Sequence, residues 1–221
     1  MPGHRACLSG KISLSPAQVP SSFFLFPLFQ MAKMEHGQPK MAALTFRPPH
    51  VTAAGAYDPH FVVPSLEFLH GSWHVTHSTL PMWKKNKNVK ITYTPLKAPA
   101  GALDDLVEYS PINGDKYKSV RGIDTPDPTR HAAYNWKGKG LLKIASSHWE
   151  VLGYGNEEGG WIVTFFSKTM FTPAGIDVYA RRQGGLSELM LERIRAEIKK
   201  VDDRDFKRMA DDVFAVKHEW K

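Results

Sequence analysis

Cysteine is almost absent from the 221-residue chain, which contains one, Cys7. A single thiol excludes an intramolecular disulfide and any zinc site built from several cysteines. Free thiols are typical of a reducing compartment, and we therefore expect a cytoplasmic protein. His36, His60 and His131 show no metal-ligand spacing, and there are no cysteine partners for them, so we expect neither a metal site nor a cofactor.

Long apolar runs are also missing. No stretch reaches the roughly 18 apolar residues that a transmembrane helix needs, so we expect no membrane span. The apolar run at residues 23–29 is short and has no small-residue cleavage site after it, which makes it a poor match to a signal peptide. Residues 1–60 are rich in proline without a sustained period, which predicts a disordered or artefactual N-terminal extension. The start of translation stays open between Met1 and an internal methionine, Met31, Met34 or Met41.

The formal net charge is +7, and no nucleic-acid-binding motif accompanies it. A moderate basic excess is more typical of a solubility feature, so we expect no nucleic-acid partner. A cluster of lysines at positions 84, 85, 87 and 90 is interpreted as a solvated loop, with attraction of a carboxylate as the alternative. The sequence does not determine the oligomeric state.

What the chain does contain is a series of short segments with the period of a β-strand. The clearest has Val89, Ile91 and Tyr93 alternating with polar residues. Asn113-Gly114 is a strong hairpin signal between two of the segments. The eight predicted strands cover residues 73–78, 89–94, 103–109, 116–122, 132–136, 141–154, 161–167 and 176–181. Short strands joined by tight turns predict an all-β domain at residues 61–185, an antiparallel up-and-down barrel of eight to ten strands.

The period changes after Gly184-Gly185. Ser187 is a typical N-cap, and apolar residues then recur at helical spacing from Met190 to Val201. A second helical segment begins near Asp203. Residues 186–221 are therefore predicted to form C-terminal helices that pack on the outside of the barrel.

The first strand opens with Gly71-x-Trp73, and a helix follows the last strand. This arrangement resembles the calycin superfamily of lipocalins and fatty-acid-binding proteins. With the segment Thr79-Leu80-Pro81-Met82-Trp83-Lys84 after the first strand, the chain resembles lipocalin-like proteins of filamentous fungi. The resemblance implies a barrel that binds small hydrophobic molecules, with Trp73 at the closed end under Arg181 or Arg182. The heme-binding nitrobindin branch has a histidine near the end of its barrel, but residues 176–182 contain none, so heme is not expected.

Six residues are the candidates for lining a ligand cavity: Trp73, His77, Tyr93, Trp149, Phe165 and Tyr179. His77 shares a predicted strand face with Trp73, which would turn it inward. Aromatic side chains with polar tips suit a cavity, although the same residues could simply fill a solid core. Around Trp149, we expect His148 and Glu150 to belong to a solvent-facing stripe.

The leading functional hypothesis is the binding of a small hydrophobic molecule inside the barrel. The alternative is an isomerase or cyclase of hydrophobic metabolites on the same scaffold, with His77 or Tyr93 as the acid or base. A heme-binding barrel and a partner-binding module that uses the C-terminal helices rank lower. Positioning catalysis needs no sequence motif, so the residues alone do not separate binder from enzyme.

Overall fold

Eight antiparallel strands form a closed barrel in the structure, a computed structural model that describes residues 43–52, 58, 60–170 and 172–219. The strands are β1 (Gly71–Ser78), β2 (Asn86–Pro95), β3 (Leu103–Pro111), β4 (Lys118–Pro126), β5 (Ala133–Gly138), β6 (Ser146–Gly155), β7 (Trp161–Phe166) and β8 (Gly175–Ala180). Each strand pairs with the next, and β1 pairs with both β8 and β2, which closes the sheet. A ninth short strand, β9 (Phe214–Ala215), pairs with the end of β1 beyond β2. The all-β barrel prediction is confirmed.

The largest departure from the predicted strands lies before β6. The sequence predicts a strand from residue 141, but residues Gly140–Leu142 form a 3₁₀ turn and β6 begins at Ser146. Leu141 and Ile144 are almost fully exposed, so these apolar residues do not belong to a core face. A second 3₁₀ helix, Pro81–Lys85, lies at the mouth of the barrel where the sequence predicts an irregular loop.

The other end of the barrel is closed by a short helix, α1 (Leu66–Leu69), which Ser65 caps. Beneath it, the Trp73 indole Nε1 donates a hydrogen bond to the Leu69 carbonyl over 2.9 Å. Trp73 is fully buried, so this bond satisfies its polar atom inside an apolar plug.

The C-terminal helices α2 (Glu188–Lys200) and α3 (Arg204–Asp212) cover the outside of β7 and β8. Ser187 and Asp203 cap them through hydrogen bonds to Met190 N and Phe206 N. The two strands are consequently buried on both faces, and each buried aliphatic side chain contributes about 1.5–3 kcal/mol. No helix in the described ranges is both long and apolar enough to cross a membrane.

Residues 43–52, which fall within the predicted extension, lie against β6. Phe46 forms a β-bridge with Gly153, and the Arg47 amide donates to the Leu152 carbonyl over 2.8 Å. The rest of the predicted extension, at residues 1–42, 53–57 and 59, lies outside the described residues. The predicted domain limits stay a prediction.

Candidate functional site

The barrel is hollow in the half nearer its open mouth. A cavity of about 280 Å³ lies between β2–β8 and the 3₁₀ helix Pro81–Lys85. Its wall is mostly aromatic and aliphatic, and five of the aromatic side chains are Trp83, Tyr93, Tyr109, Trp136 and Trp149. A hollow lined in this way excludes water from most of its surface and favours an apolar occupant.

Stacked rings hold one side of the cavity in place. Trp149 lies between Tyr93 and Tyr134, with ring centroids 5.7 Å and 4.6 Å away and interplanar angles of 17° in both pairs. Near the mouth, Trp83 packs edge-on against Tyr109 with the ring centroids 5.8 Å apart. Such pairs add about 0.5–1.5 kcal/mol beyond simple burial, so the aromatic wall is preorganised.

Three carboxyl groups are buried inside the barrel. Asp105 and Asp177 line the cavity, and Asp124 lies behind its wall. Asp177 accepts hydrogen bonds from the Ser78 hydroxyl and from the Trp83 indole, the latter over 3.3 Å. Asp124 accepts one from the Trp149 indole over 2.7 Å. The indoles of Trp83 and Trp149 therefore form part of the apolar wall and also donate hydrogen bonds to buried acids.

Burial changes the charge state of these acids. It raises the pKa of Asp124 and of Asp177 to about 7, because the ionised form loses its hydration. The pKa of Asp105 is raised well above its ordinary value by burial and by the neighbouring charges of Asp124 and Asp104. Burial also raises the pKa of Tyr93 and Tyr179, so both remain neutral phenols. At neutral pH the cavity thus holds protonated or half-protonated carboxyl groups.

The positive charge of the chain lies elsewhere. Among the described residues that line the cavity, none is lysine, arginine or histidine. Of the lysine cluster, Lys87 pairs with Glu219 at 2.7 Å, Lys90 pairs with Glu108 at 2.8 Å, and Lys84 lies 4.9 Å from the ring centre of Phe214. These lysines are paired with groups away from the cavity, so aspartate is the only charged residue type among the described residues that line it.

The closed end of the barrel contains an arginine stacked on a tryptophan. The Arg181 guanidinium stacks 3.5 Å from the centre of the Trp73 ring, as the sequence resemblance implied for Arg181 or Arg182. Together with the closed eight-stranded meander and the helix outside it, this decides the fold type. The fold is a lipocalin-like barrel.

In comparisons with known proteins, no protein-family model and no curated protein matches the chain. Among solved structures, the lipocalin-like barrel matches the siderocalin Ex-FABP, described as functioning through dual ligand specificities, with 16% sequence identity and a TM-score of 0.46. The match covers 69% of this chain and 95% of that one. In the described part of the chain, no three His, Cys, Asp or Glu side chains are grouped so as to hold a metal ion.

Three of the six candidate residues line the cavity of the lipocalin-like barrel: Tyr93, Trp149 and Tyr179. Trp73 is buried at the closed end, below the cavity, where it contacts α1 and Arg181. The structure does not bring His77 or Phe165 to the cavity.

His77 lies on the outer face because β1 contains a β-bulge. Val75 pairs with Tyr179 and His77 pairs with Val178, so one extra residue, Thr76, interrupts the alternation. After the bulge Ser78 turns inward, where it meets Asp177, and His77 turns toward α2. Burial and the nearby positive charge of Arg195 lower the pKa of His77 to about 4.

Phe165 faces the helices instead of the cavity. Its ring packs edge-on against Phe206 of α3, with the centroids 6.0 Å apart. The adjacent Phe166 lines the cavity. Because both faces of β7 are apolar, its sequence does not reveal which of the two phenylalanines points inward.

Sequence reasoning missed the buried acids. The available signal was Asp177, a charged residue between Ile176 and Val178 in a strand. A second signal was Gly122, since a glycine inside a strand often marks a close approach of another group. In the structure, a Cβ atom at this position would lie 2.2 Å from the Trp136 indole nitrogen. Glycine therefore lets Trp136 lie across β4, opposite Asp105 on the neighbouring strand.

Proposed function

We propose that this protein binds a small hydrophobic molecule with one polar group inside its lipocalin-like barrel. The observation that carries the proposal is an aromatic cavity of about 280 Å³ with carboxyl groups in its wall. Engineered apolar cavities of about 150 Å³ hold benzene, and drug-binding pockets begin near 300 Å³. An occupant of one or two rings with a short side chain fits this range.

The stability that the protein loses by keeping an unfilled cavity supports a binding role. An unfilled volume of this kind forfeits packing energy, at about 24 cal/mol per Å³ in measured cases. Buried carboxyl groups add a desolvation cost unless they are fully bonded. A barrel with only a structural role would be more stable with an aliphatic side chain in place of Asp105, whose Oδ1 has no hydrogen-bond partner among the described residues. Ligand binding explains why the sequence keeps both features.

Titration of tryptophan fluorescence with 2-(1-naphthyl)ethanol tests the proposal on the full-length protein. Val107→Trp places an indole in the cavity wall and should weaken binding at least about 10-fold, since it removes the space the ligand needs. Val62→Trp adds the same side chain at a position that is 69% exposed and should leave binding unchanged. Equal binding by wild type and Val107→Trp would contradict the proposal.

An isomerase or cyclase is the second candidate, and the buried acids favour it. A carboxylic acid that stays protonated near neutral pH can donate a proton to a bound alkene or carbonyl, and aromatic faces stabilise the cation that forms. Asp105 replaces His77 as the acid in this hypothesis, because His77 faces α2. Chromatography of molecules extracted from the wild type and from Asp105→Asn tests it. An enzyme gives two isomers of equal mass, and a binder gives the same species from both proteins.

A further inference from the structure

Among the described residues, Asp105 and Asp124 each have a carboxyl oxygen without a hydrogen-bond partner, and of these two only Asp105 lines the cavity. Asp124 and Asp177 each accept hydrogen bonds from an indole, and Asp177 also from Ser78. The Oδ1 atom of Asp105 has no hydrogen-bond partner among the described residues, although the residue is only 6% exposed. The side chain lines the cavity. A buried, unpaired acceptor is uncommon and points to a partner that the protein chain does not supply.

The cations near Asp105 are engaged on the other side of the sheet. Its neighbour Asp104 is bound by Arg121, whose Nη2 lies 2.6 Å from Oδ2, and by Lys139, whose Nζ lies 2.6 Å from Oδ1. Successive residues of a strand point to opposite faces, so these ion pairs lie outside the barrel. Inside, the titratable groups that face Asp105 are Asp124, Tyr93 and Tyr179, all acids. Among the described residues, the interior thus has hydrogen-bond acceptors and acids but no positive charge.

The aromatic wall of the cavity favours a positively charged group. Organic cations bind to the faces of tryptophan and tyrosine, and Trp136, Trp149, Tyr93 and Tyr109 all contribute to the wall. A carboxylate ligand would meet Asp105 and Asp177 without any basic side chain to neutralise it. An anionic head group is therefore disfavoured, and a neutral one leaves the Asp105 oxygen without a charged partner.

We infer that the ligand is an organic amine with an aromatic or alicyclic body, and that Asp105 is its counter-ion. This inference rests on the proposed function, since it names the class of molecule that the same cavity takes. In the empty barrel Asp105 stays protonated, which avoids a buried charge. An ammonium group in the cavity makes ionisation favourable, and the displaced proton leaves to solvent.

Three probes with the same ring system test the inference on the full-length protein. They are 2-(1-naphthyl)ethylamine, 2-(1-naphthyl)ethanol and 1-naphthylacetate, which place a cation, a neutral hydroxyl and an anion at similar positions. At pH 7.5 and low salt, the amine should bind at least about 10-fold more tightly than the alcohol, and the acetate most weakly. Titration calorimetry in two buffers of different ionisation enthalpy should show about one proton released per amine bound and none for the alcohol.

Asp104 provides a matched control for Asp105. Asp105→Asn should reduce the advantage of the amine over the alcohol to within about 2-fold while retaining alcohol binding. Asp104→Asn removes the same charge one residue away on the outer face and should keep the full advantage. Circular dichroism checks that both variants fold, and the proton count in the wild type tests the inference even if Asp105→Asn does not fold.

Failure of the inference and failure of the proposed function give different results. If the alcohol or the acetate binds as tightly as the amine, the amine inference is overturned and the proposed function stands. If none of the three probes binds up to millimolar concentration, both are overturned. If the amine preference survives in folded Asp105→Asn, or if amine binding releases no proton, Asp105 is not the counter-ion.

Discussion

Arg181 and Trp73 close one end of the barrel as a single unit, with the guanidinium 3.5 Å from the centre of the indole ring. Arg181 also donates hydrogen bonds to the carbonyl oxygens of Ser72, at 2.9 Å, His70, at 2.8 Å, and Phe68. These carbonyls lie at the end of α1 and the start of β1. One side chain therefore connects the first and last strands of the barrel with the helix that plugs it.

Arg181→Met should destabilise the protein by about 2–4 kcal/mol, because it removes a cation–π contact and leaves three carbonyl oxygens without their donor. Urea unfolding followed by tryptophan fluorescence measures the change. Arg182→Met is the control, since Arg182 is exposed and should contribute less than about 0.5 kcal/mol. Similar losses for the two variants would show that the closed end does not depend on Arg181.

Asp177 should make stability depend on pH. Its pKa is raised to about 7 by burial, above the roughly 3.9 of an unfolded chain. The folded state therefore binds more protons between these values, and the wild type loses stability as the pH rises through 7. His74 and His77, whose pKa values are lowered to about 4, act in the opposite direction up to about pH 6.5.

The comparison of wild type with Asp177→Asn isolates the carboxyl from the histidines, which both proteins share. Urea unfolding at pH 5.5, 6.5, 7.5 and 8.5 should show the wild type losing about 1–2 kcal/mol relative to the variant across this range. Asp202→Asn, which removes an exposed carboxyl, serves as the control. A difference that stays constant with pH would mean that Asp177 is not held neutral by its burial.

The parts of the fold that the sequence predicts well are those with one buried face. In β2, Val89, Ile91 and Tyr93 alternate with polar residues, so the period of two is visible. The N-cap at Ser187 and the helix that follows are equally clear, because capping acts over three residues. Local signals of this kind determined the strand count and the helical tail.

The parts that the sequence does not predict depend on contacts between distant residues. The bulge between Val75 and His77 leaves the sequence alternation intact and is defined only by the pairing of β1 with β8. Asp104 and Asp105 look alike in the sequence. Successive strand residues face opposite sides of the sheet, and only the closure of the barrel determines which of the two sides is the interior. Three of the six residues predicted for the cavity line it, and all three are aromatic. Of the buried acids, only Asp177, between Ile176 and Val178, had a local signal in the sequence.

Glu150 is a further example, since it was expected on a solvent-facing stripe and is instead fully buried under residues 43–52. It accepts from Arg47 Nη1 at 2.8 Å and from His50 Nδ1 at 2.5 Å, across about 100 positions of sequence. Glu150→Ala leaves the buried Arg47 charge without its partner and should cost about 3–5 kcal/mol. Hydrogen exchange should show faster exchange at the Arg47 amide.

Glu150→Gln is the milder control, because the amide oxygen still accepts a hydrogen bond while the charge is lost. Burial already lowers the pKa of Arg47, and the Glu150 carboxylate opposes that effect, so removing the charge should cost less than removing the whole side chain. If Glu150→Ala unfolds at the same urea concentration as the wild type, the attachment of residues 43–52 does not contribute to stability.

Phe165 and Phe166 are neighbours on β7 that face opposite sides of the sheet, so the pair can separate effects on stability from effects on ligand binding. Phe165→Ala removes a ring from between β7 and α3 and should destabilise the protein by about 3–5 kcal/mol, with little effect on ligand affinity. Phe166→Ala removes a ring from the cavity wall, where it is partly exposed, and should cost less stability while changing the affinity for 2-(1-naphthyl)ethanol several-fold. Urea unfolding and fluorescence titration on the same two proteins measure both quantities. If ligand affinity is sensitive to Phe165→Ala and not to Phe166→Ala, the ligand binds on the face of β7 that packs against α3. The cavity inside the barrel would then not be the binding site.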